Sequence, residues 1–434
     1  MSTFNEKEFA QLHQELQQIE VPKDKINHVR QQAYKTYKQK QRRRKRTIWQ
    51  VGLVAVLLFA FITSIRVSPV FAQTVAKIPG FAPIVDLLTE DKGEKDIAKN
   101  QYYEELNIVQ TKNDFTFTLL GTVADESGMI IFYQLEAPYD ISELGTKDYR
   151  LTQNGKDVEA STGYSWSANN PTNIIQEKIE VVASTKMDYT NPHFELEMTF
   201  DDDKRTAFKV PFTLVKPIMP SKYYGVNKAI TIENQIIHIE SINISPLRAE
   251  IKLSTDTDNT MQILQIDDIK VLDEKGEEWG KIKNGIVGFG GFREETASIF
   301  IESNYFREPE SLTLVLNKVE AMPKGEDYVE IDFLKQQIIK MPELENFELV
   351  IRGTNMLDVS YRMPMNHHKQ IFSSVYDKNG NKFYNNGTST TNDEGKIEST
   401  YTFDLKDAQN PVRIYFESYP TYLDGTAEIK VPLK

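Results

Sequence analysis

Six histidines, no cysteine and 63 Asp/Glu side chains make up the reactive inventory of this 434-residue chain. Without cysteine, disulfides, thiolate zinc sites and cysteine nucleophiles are excluded. His367 and His368 are adjacent after Asn366, but no further His or acidic partner recurs at ligand spacing, so the pair reads as a solvated turn. The runs TDTDNT at 255–260 and DDD at 201–203 offer calcium-type oxygens, yet lack the glycine and terminal glutamate of a calcium loop. GFGG at 288–291 has no strand–turn–helix setting for a dinucleotide and reads as a turn or bulge; no Gly-x-Ser-x-Gly elbow occurs. No residue earns a catalytic, metal-ligating or cofactor-binding assignment, and the expectation is a protein that is not an enzyme.

The remaining chemistry is recognition. Near the N-terminus Phe9, Leu12, Leu16 and Ile19 follow helical spacing, and beyond Pro22 so do Ile26, Val29, Ala33 and Tyr37. The two amphipathic segments, hinged near Val21-Pro22, are too short to bury their stripes against each other in a stable domain of about 45 residues. The stripe therefore lies on a membrane surface or folds into a partner's groove. Phe9, Leu12, Leu16, Ile19, Ile26, Val29 and Tyr37 are the candidate contacts.

The elements that must position this stripe come next along the chain. Residues 35–46 carry eight Lys/Arg, and 47–65, TIWQVGLVAVLLFAFITSI, carry no charge. Nineteen helical residues reach about 28 Å, close to the roughly 30 Å hydrocarbon core. In lipid the backbone must pair internally, so the segment is expected as a helix, with Trp49 at an interface. The basic run against a lone Arg66 places residues 1–46 in the cytoplasm and the rest outside. A core helix of this length would keep a polar face, and a nucleic-acid patch would interleave aromatics within a binding fold. No direct nucleic-acid binding is expected. Val70-Phe71-Ala72 has the form of a cleavage site, but the 46 residues ahead of the apolar run are too many for an n-region, which favours an uncleaved anchor. Residues 1–46 hold twelve Lys/Arg against five Asp/Glu, and the remainder 39 against 58, so a basic end joins an acidic body.

Residues 67–100 mix short apolar pieces with Pro and Gly breaks, a juxtamembrane collar. From 101 the grammar is alternating, β-branched and aromatic-rich, and it repeats. Strand pairs at 115–136, 236–254 and 347–363 are each followed by a Gly turn (QNGK, DEKGE, DKNGN) and then by a proline leading into a strand (Pro192, Pro309, Pro411). The expected fold is mainly β: tandem sandwich-like, immunoglobulin-like outer domains at 101–220, 221–340 and 341–434, behind a membrane helix at 47–66 and the helical segment 1–46. VPFTLVKP and YVEIDFLKQQ would close the first and second copies.

Ser68, Pro69, Phe71 and Ala72, then Ile78-Pro79-Gly80, Asp91-Lys92-Gly93 and Ala124-Asp125-Glu126, together resemble the bacterial domain of unknown function 4179 family. ISPLRAEIKL, VLDEKGEEWG and SNYFREPESLTLVLNKV resemble the immunoglobulin-like family 5643 that often follows it. The resemblance implies a membrane-bound negative regulator of Gram-positive bacteria, its inner segment holding an extracytoplasmic-function sigma factor. The zinc-binding anti-sigma mode needs Cys ligands and is excluded here. Partners on this reading are the bilayer, a cytoplasmic sigma factor and an envelope protease acting between 67 and 81. The alternative is a membrane-anchored surface interaction or adhesion protein.

Overall fold

A computed structural model describes residues 91–433, apart from 165–169, 283–285, 295 and 363–368, together with Ala10, His13 and Gln14. The chain divides into two compact units, Met1–Thr74 and Val75–Lys434; the second is described below. Among the described residues no helix is long and apolar enough to cross a membrane, and the expected span at 47–66 lies outside them.

The second unit is mainly β, with sandwich-like sheets behind one short helix, α1 (Lys92–Lys99). The first sandwich follows as β1 (Glu104–Lys112), β2 (Phe115–Asp125), β3 (Gly128–Glu136), β4 (Thr146–Gln153), β5 (Lys156–Asp157), β6 (Ser161–Tyr164), β7 (Ile174–Val182), β8 (His193–Phe200) and β9 (Ala207–Thr213). Its sheets run β1-β2-β3-β7-β6 and β5-β4-β8-β9. Alternation makes the strands: in β8 Phe194, Leu196, Met198 and Phe200 are buried and their neighbours are not. Phe117 of β2 stacks on Tyr133 of β3 and on Phe208 of β9, with centroids 5.5 and 5.3 Å apart, so the two inner faces meet there. Each such ring contributes about 1.5–3 kcal/mol by leaving water.

The second sandwich repeats this order. β10 (Lys222–Ile232), β11 (Gln235–Ile244), β12 (Ala249–Thr255), β13 (Met261–Asp273), β14 (Glu278–Gly280), β15 (Gly288–Gly290), β16 (Ala297–Ile301) and β17 (Ser311–Pro323) give β10-β11-β12-β16-β15 over β14-β13-β17. The third comprises β18 (Tyr328–Asp332), β19 (Gln337–Lys340), β20 (Glu348–Arg352), β21 (Met356–Arg362), β22 (Phe372–Asp377), β23 (Lys382–Asp393), β24 (Lys396–Phe403) and β25 (Val412–Phe416), in the order β19-β18-β25-β22-β23-β24-β21-β20. The glycines of the three repeated turns, Gly155, Gly276 and Gly380, have φ of 75°, 79° and 83°, a left-handed conformation in which a side chain is strained.

The closing strands depart from the expected repeat. In the first sandwich β8 pairs with the next strand, β9. In the second, β17 pairs instead with the last strand of the chain, β26 (Ala427–Pro432), from Ser311↔Pro432 to Leu316↔Ala427. In the third, β25 pairs with β18, from Tyr328↔Tyr415 to Ile331↔Val412. The two sandwiches have exchanged closing strands. YVEIDFLKQQ, expected to close the second copy, closes the third, and residues 328–340, up to the expected boundary at 340, pair with the third sandwich. The cores agree: Val329 and Ile331 pack with Ile414, and Ala427 and Val431 with Leu312 and Leu314. β18 and β26 carry similar alternation, so nothing local says which sheet each will join.

Candidate functional site

The candidate contacts Phe9, Leu12, Leu16, Ile19, Ile26, Val29 and Tyr37 lie outside the described residues. Motifs of the second unit do lie within them, and four meet at the junction of the first and second sandwiches: Asp91-Lys92-Gly93, Ala124-Asp125-Glu126, the ISPLR turn at 244–248 and SNYFRE at 303–308.

Asp91 is extended and caps α1, its Oδ1 accepting from Gly93 N at 2.5 Å and Glu94 N at 3.2 Å, a cap typically worth about 1 kcal/mol. Gly93 lets the helix lie directly on the Ser303 backbone. A β-carbon there would stand 3.0 and 3.1 Å from Ser303 N and O and 2.9 Å from Asp91 Oδ1. The next turn reaches both ways. Lys178 Nζ of β7 donates to Glu94 Oε1 at 2.6 Å, while Arg307 Nε of the second sandwich donates to Asp96 Oδ2 at 2.5 Å. Lys92 Nζ donates to Glu278 O and stands 5.3 Å from the Trp279 ring centroid. One helix of 8 residues is thereby bonded to two domains.

Below it, Tyr102 Oη donates to Ala124 O at 2.6 Å and accepts from Met219 N at 3.0 Å. Asp125, fully buried, accepts from Ser127 N and Oγ at 2.7 and 2.6 Å and, across the junction, from Leu247 N at 2.6 Å. Glu126 accepts from Ser221 Oγ at 2.7 Å and pairs with Lys186. Arg248, only 3% exposed, lies 5.5 Å from the Phe300 ring, and among the described residues its Nε and Nη1 have no hydrogen-bond partner. It lines a cleft of about 270 Å³ with Ser127, Lys186, Glu250 and Phe300.

Burial dominates the electrostatics here. Burial lifts the Glu94 carboxyl to about 7, with Lys178 pulling the other way. Burial, then the charge of Glu302, lifts Asp91 to about 6 against the helix N–H groups. Burial also raises Asp125, outweighing Ser127, Leu247 and Arg248. Arg248 moves down because burial outweighs the fields of Asp125, Glu180, Asp91 and Glu94. The junction can therefore take up protons near neutral pH, where a surface carboxylate would not. Residue-type reasoning assigned 91–99 to a collar; the signal available was an Asp cap two residues ahead of a glycine, followed by buried-type Ile97 and Ala98.

Residues 42–137 match the model described as Domain of unknown function (DUF4179), and residues 221–344 the model described as Family of unknown function (DUF5643), in the expected order. No curated protein matches the sequence. A conserved domain protein from Bacillus anthracis is similar in structure at 13% identity and a TM-score of 0.38, over 77% of this chain and 92% of that one. An I-band fragment of titin follows at 7% and 0.14, over 64% and 83%. A calcium-stabilised, ice-binding adhesin of an Antarctic bacterium stands at 8% and 0.12, over 70% and 93%.

Proposed function

We propose that this chain is a single-pass membrane-bound regulator, without enzymatic activity, of the anti-sigma-factor kind. Residues 1–46 hold a cytoplasmic extracytoplasmic-function sigma factor through the stripe from Phe9 to Tyr37. Residues 47–66 span the bilayer as a helix, and immunoglobulin-like sandwiches outside read an envelope signal. The observation that carries this reading is the seating of α1. The stretch that follows the apolar segment is keyed into two outer domains by buried charge and a close glycine contact, whereas a passive anchor needs only a linker. The match of residues 42–137 is consistent with it. A single helix transmits rotation poorly, so the switch is cleavage between 67 and 81 by an envelope protease, triggered when α1 leaves its seat.

The test uses full-length chain in cells of the source organism, wild type against Leu12→Asp/Leu16→Asp. Capture of one sigma factor by the wild type alone, with derepressed transcription in the variant, is expected. Equal capture and unchanged transcription would instead make the chain an adhesion or interaction protein whose tail is only an anchor.

A further inference from the structure

The second and third sandwiches meet over a separate, partly buried cluster that takes no part in seating α1. Asp267 of β13 and Glu320 of β17 sit on paired strands, where Gln265 faces Glu320. Lys369, just ahead of β22, reaches across from the third sandwich. Its Nζ donates to Asp267 Oδ1, and to Glu320 Oε1 at 3.3 Å. Glu320 is fully buried, and its Oε2 accepts from Ser418 Oγ at 2.7 Å and Tyr419 N at 3.1 Å, which leaves Oε1 turned to the lysine. Tyr422 Oη donates to Asp267 Oδ2 at 2.9 Å, and the Glu320 carboxyl is hydrogen-bonded to Asp267 as well. A primary amine, a carboxyl group in contact with it and a buried acid touching both form the set needed to condense an amine with an acid.

We infer that Lys369 and Asp267 become joined by an isopeptide bond, formed within the folded chain with Glu320 relaying the protons. The resting groups are an ion pair. Burial raises the Asp267 carboxyl, but Lys369, Tyr422 and Glu320 outweigh it and hold it below the usual range. One proton passes from the Lys369 ammonium through Glu320 to Asp267, leaving a neutral amine and a carboxylic acid. Nζ then attacks Cγ, and Tyr422 Oη donates to the developing oxyanion. The second amine proton travels through Glu320 to the departing hydroxyl. The C–N bond forms, the C–O bond breaks and one water leaves, so ammonium plus carboxylate becomes amide plus water with no other reactant. In solution this condensation is opposed by bulk water. Held groups react at effective concentrations of about 10⁵–10⁸ M, and the Asp267 side chain is only 18% exposed. The product ties sequence positions 102 residues apart, in a chain that has no cysteine to do so.

The test is the mass of full-length protein purified in detergent, intact and after denaturation and trypsin. The expected mass is short by one water, with a branched peptide joining residues 253–270 to 363–378, uncut at Lys369. Glu320→Gln and Lys369→Arg chains carry the full calculated mass, whereas Asp267→Asn, whose amide is open to the same attack, is lighter by one ammonia. Wild-type circular dichroism spectra from the Glu320→Gln chain separate failure to link from failure to fold. A folded wild-type chain of full mass, cut at Lys369, overturns the inference, and so does a water loss that maps elsewhere.

Discussion

The two junctions between the sandwiches are built on opposite plans. Between the first and second the chain crosses once, from β9 to β10, and the join is made by α1 and by carboxylates that burial raises. Between the second and third it crosses twice and the closing strands are exchanged. Arg293 Nη1 there donates to Asp327 Oδ2 at 2.6 Å over the Tyr415 ring. Leu264 and Met322 of the second sandwich are buried in the core of the third. Parting the second from the third strains two chain crossings at once and draws Leu264 and Met322 out of the core of the third. Parting α1 from its seat breaks side-chain bonds and leaves every sheet intact. Movement in the outer part therefore belongs at α1, and the second and third sandwiches act as one block.

The strongest way to break this contrast is to remove one basic side chain from each junction. Arg248→Ala removes the cation whose field reaches Asp125, Glu180, Asp91 and Glu94 in a desolvated site, and a clear loss of stability at neutral pH is expected. It would appear in urea unfolding as an earlier first transition, read separately from the later one because the chain is multidomain. Lys369→Met at the other junction leaves both chain crossings and the shared core at Leu264 and Met322 in place, so the second and third sandwiches still unfold together. Equal effects would mean that the second crossing and the shared core do not decide which joint yields.

Legibility in the sequence divides along the same line. Alternation in β8, β11 and β21, and the turns at Gly155, Gly276 and Gly380, were plain because they depend on residues close in the chain. The exchange of β18 and β26 was not, because strands with similar patterns fit either sheet and only tertiary packing chooses. At the α1 junction the residues were visible as motifs, Asp91-Lys92-Gly93 and Ala124-Asp125-Glu126, but their roles were not. Asp91 alone reads as a turn residue. It becomes a seat only when Ser303, some 200 positions away, lies against Gly93. Buried long-range charge has no period, so no window of sequence displays it.

A smaller effect isolates shape from charge. Gly93→Ala places a methyl group against backbone that cannot yield as a side-chain tip would, and overpacking of this kind costs about 1–3 kcal/mol. The chain should remain folded while trypsin cuts faster after Lys92, Lys95 and Lys99, with no change at sites in the third sandwich. Unchanged cutting at α1 would show that Ser303 moves aside and that the helix is held by its ion pairs alone.

The most specific effect is on pH dependence. Glu94 rises from 4.5 unfolded to about 7 folded, and Asp91 from 3.8 to about 6. A carboxyl raised by folding binds its proton more tightly in the folded state, so its stabilisation is complete below the unfolded value and is lost as pH climbs through the folded one. The groups facing Glu94 are Lys178 and Glu180 from β7, Asp91 from the cap and, from the second sandwich, Arg248. Glu126, held below the usual range because Lys186 and Ser221 outweigh its burial, acts in the opposite sense but only in more acid solution. The seat should therefore be firmer at pH 5.5 than at pH 8, by about 2–3 kcal/mol in the first urea transition. Glu94→Gln mimics the protonated carboxyl and should remove most of that slope by holding α1 at pH 8 as firmly as the wild type does at pH 5.5. A wild-type transition that strengthens toward pH 8 would mean that the Lys178–Glu94 pair, rather than the proton, holds the helix, and the yielding joint would then have to be sought elsewhere.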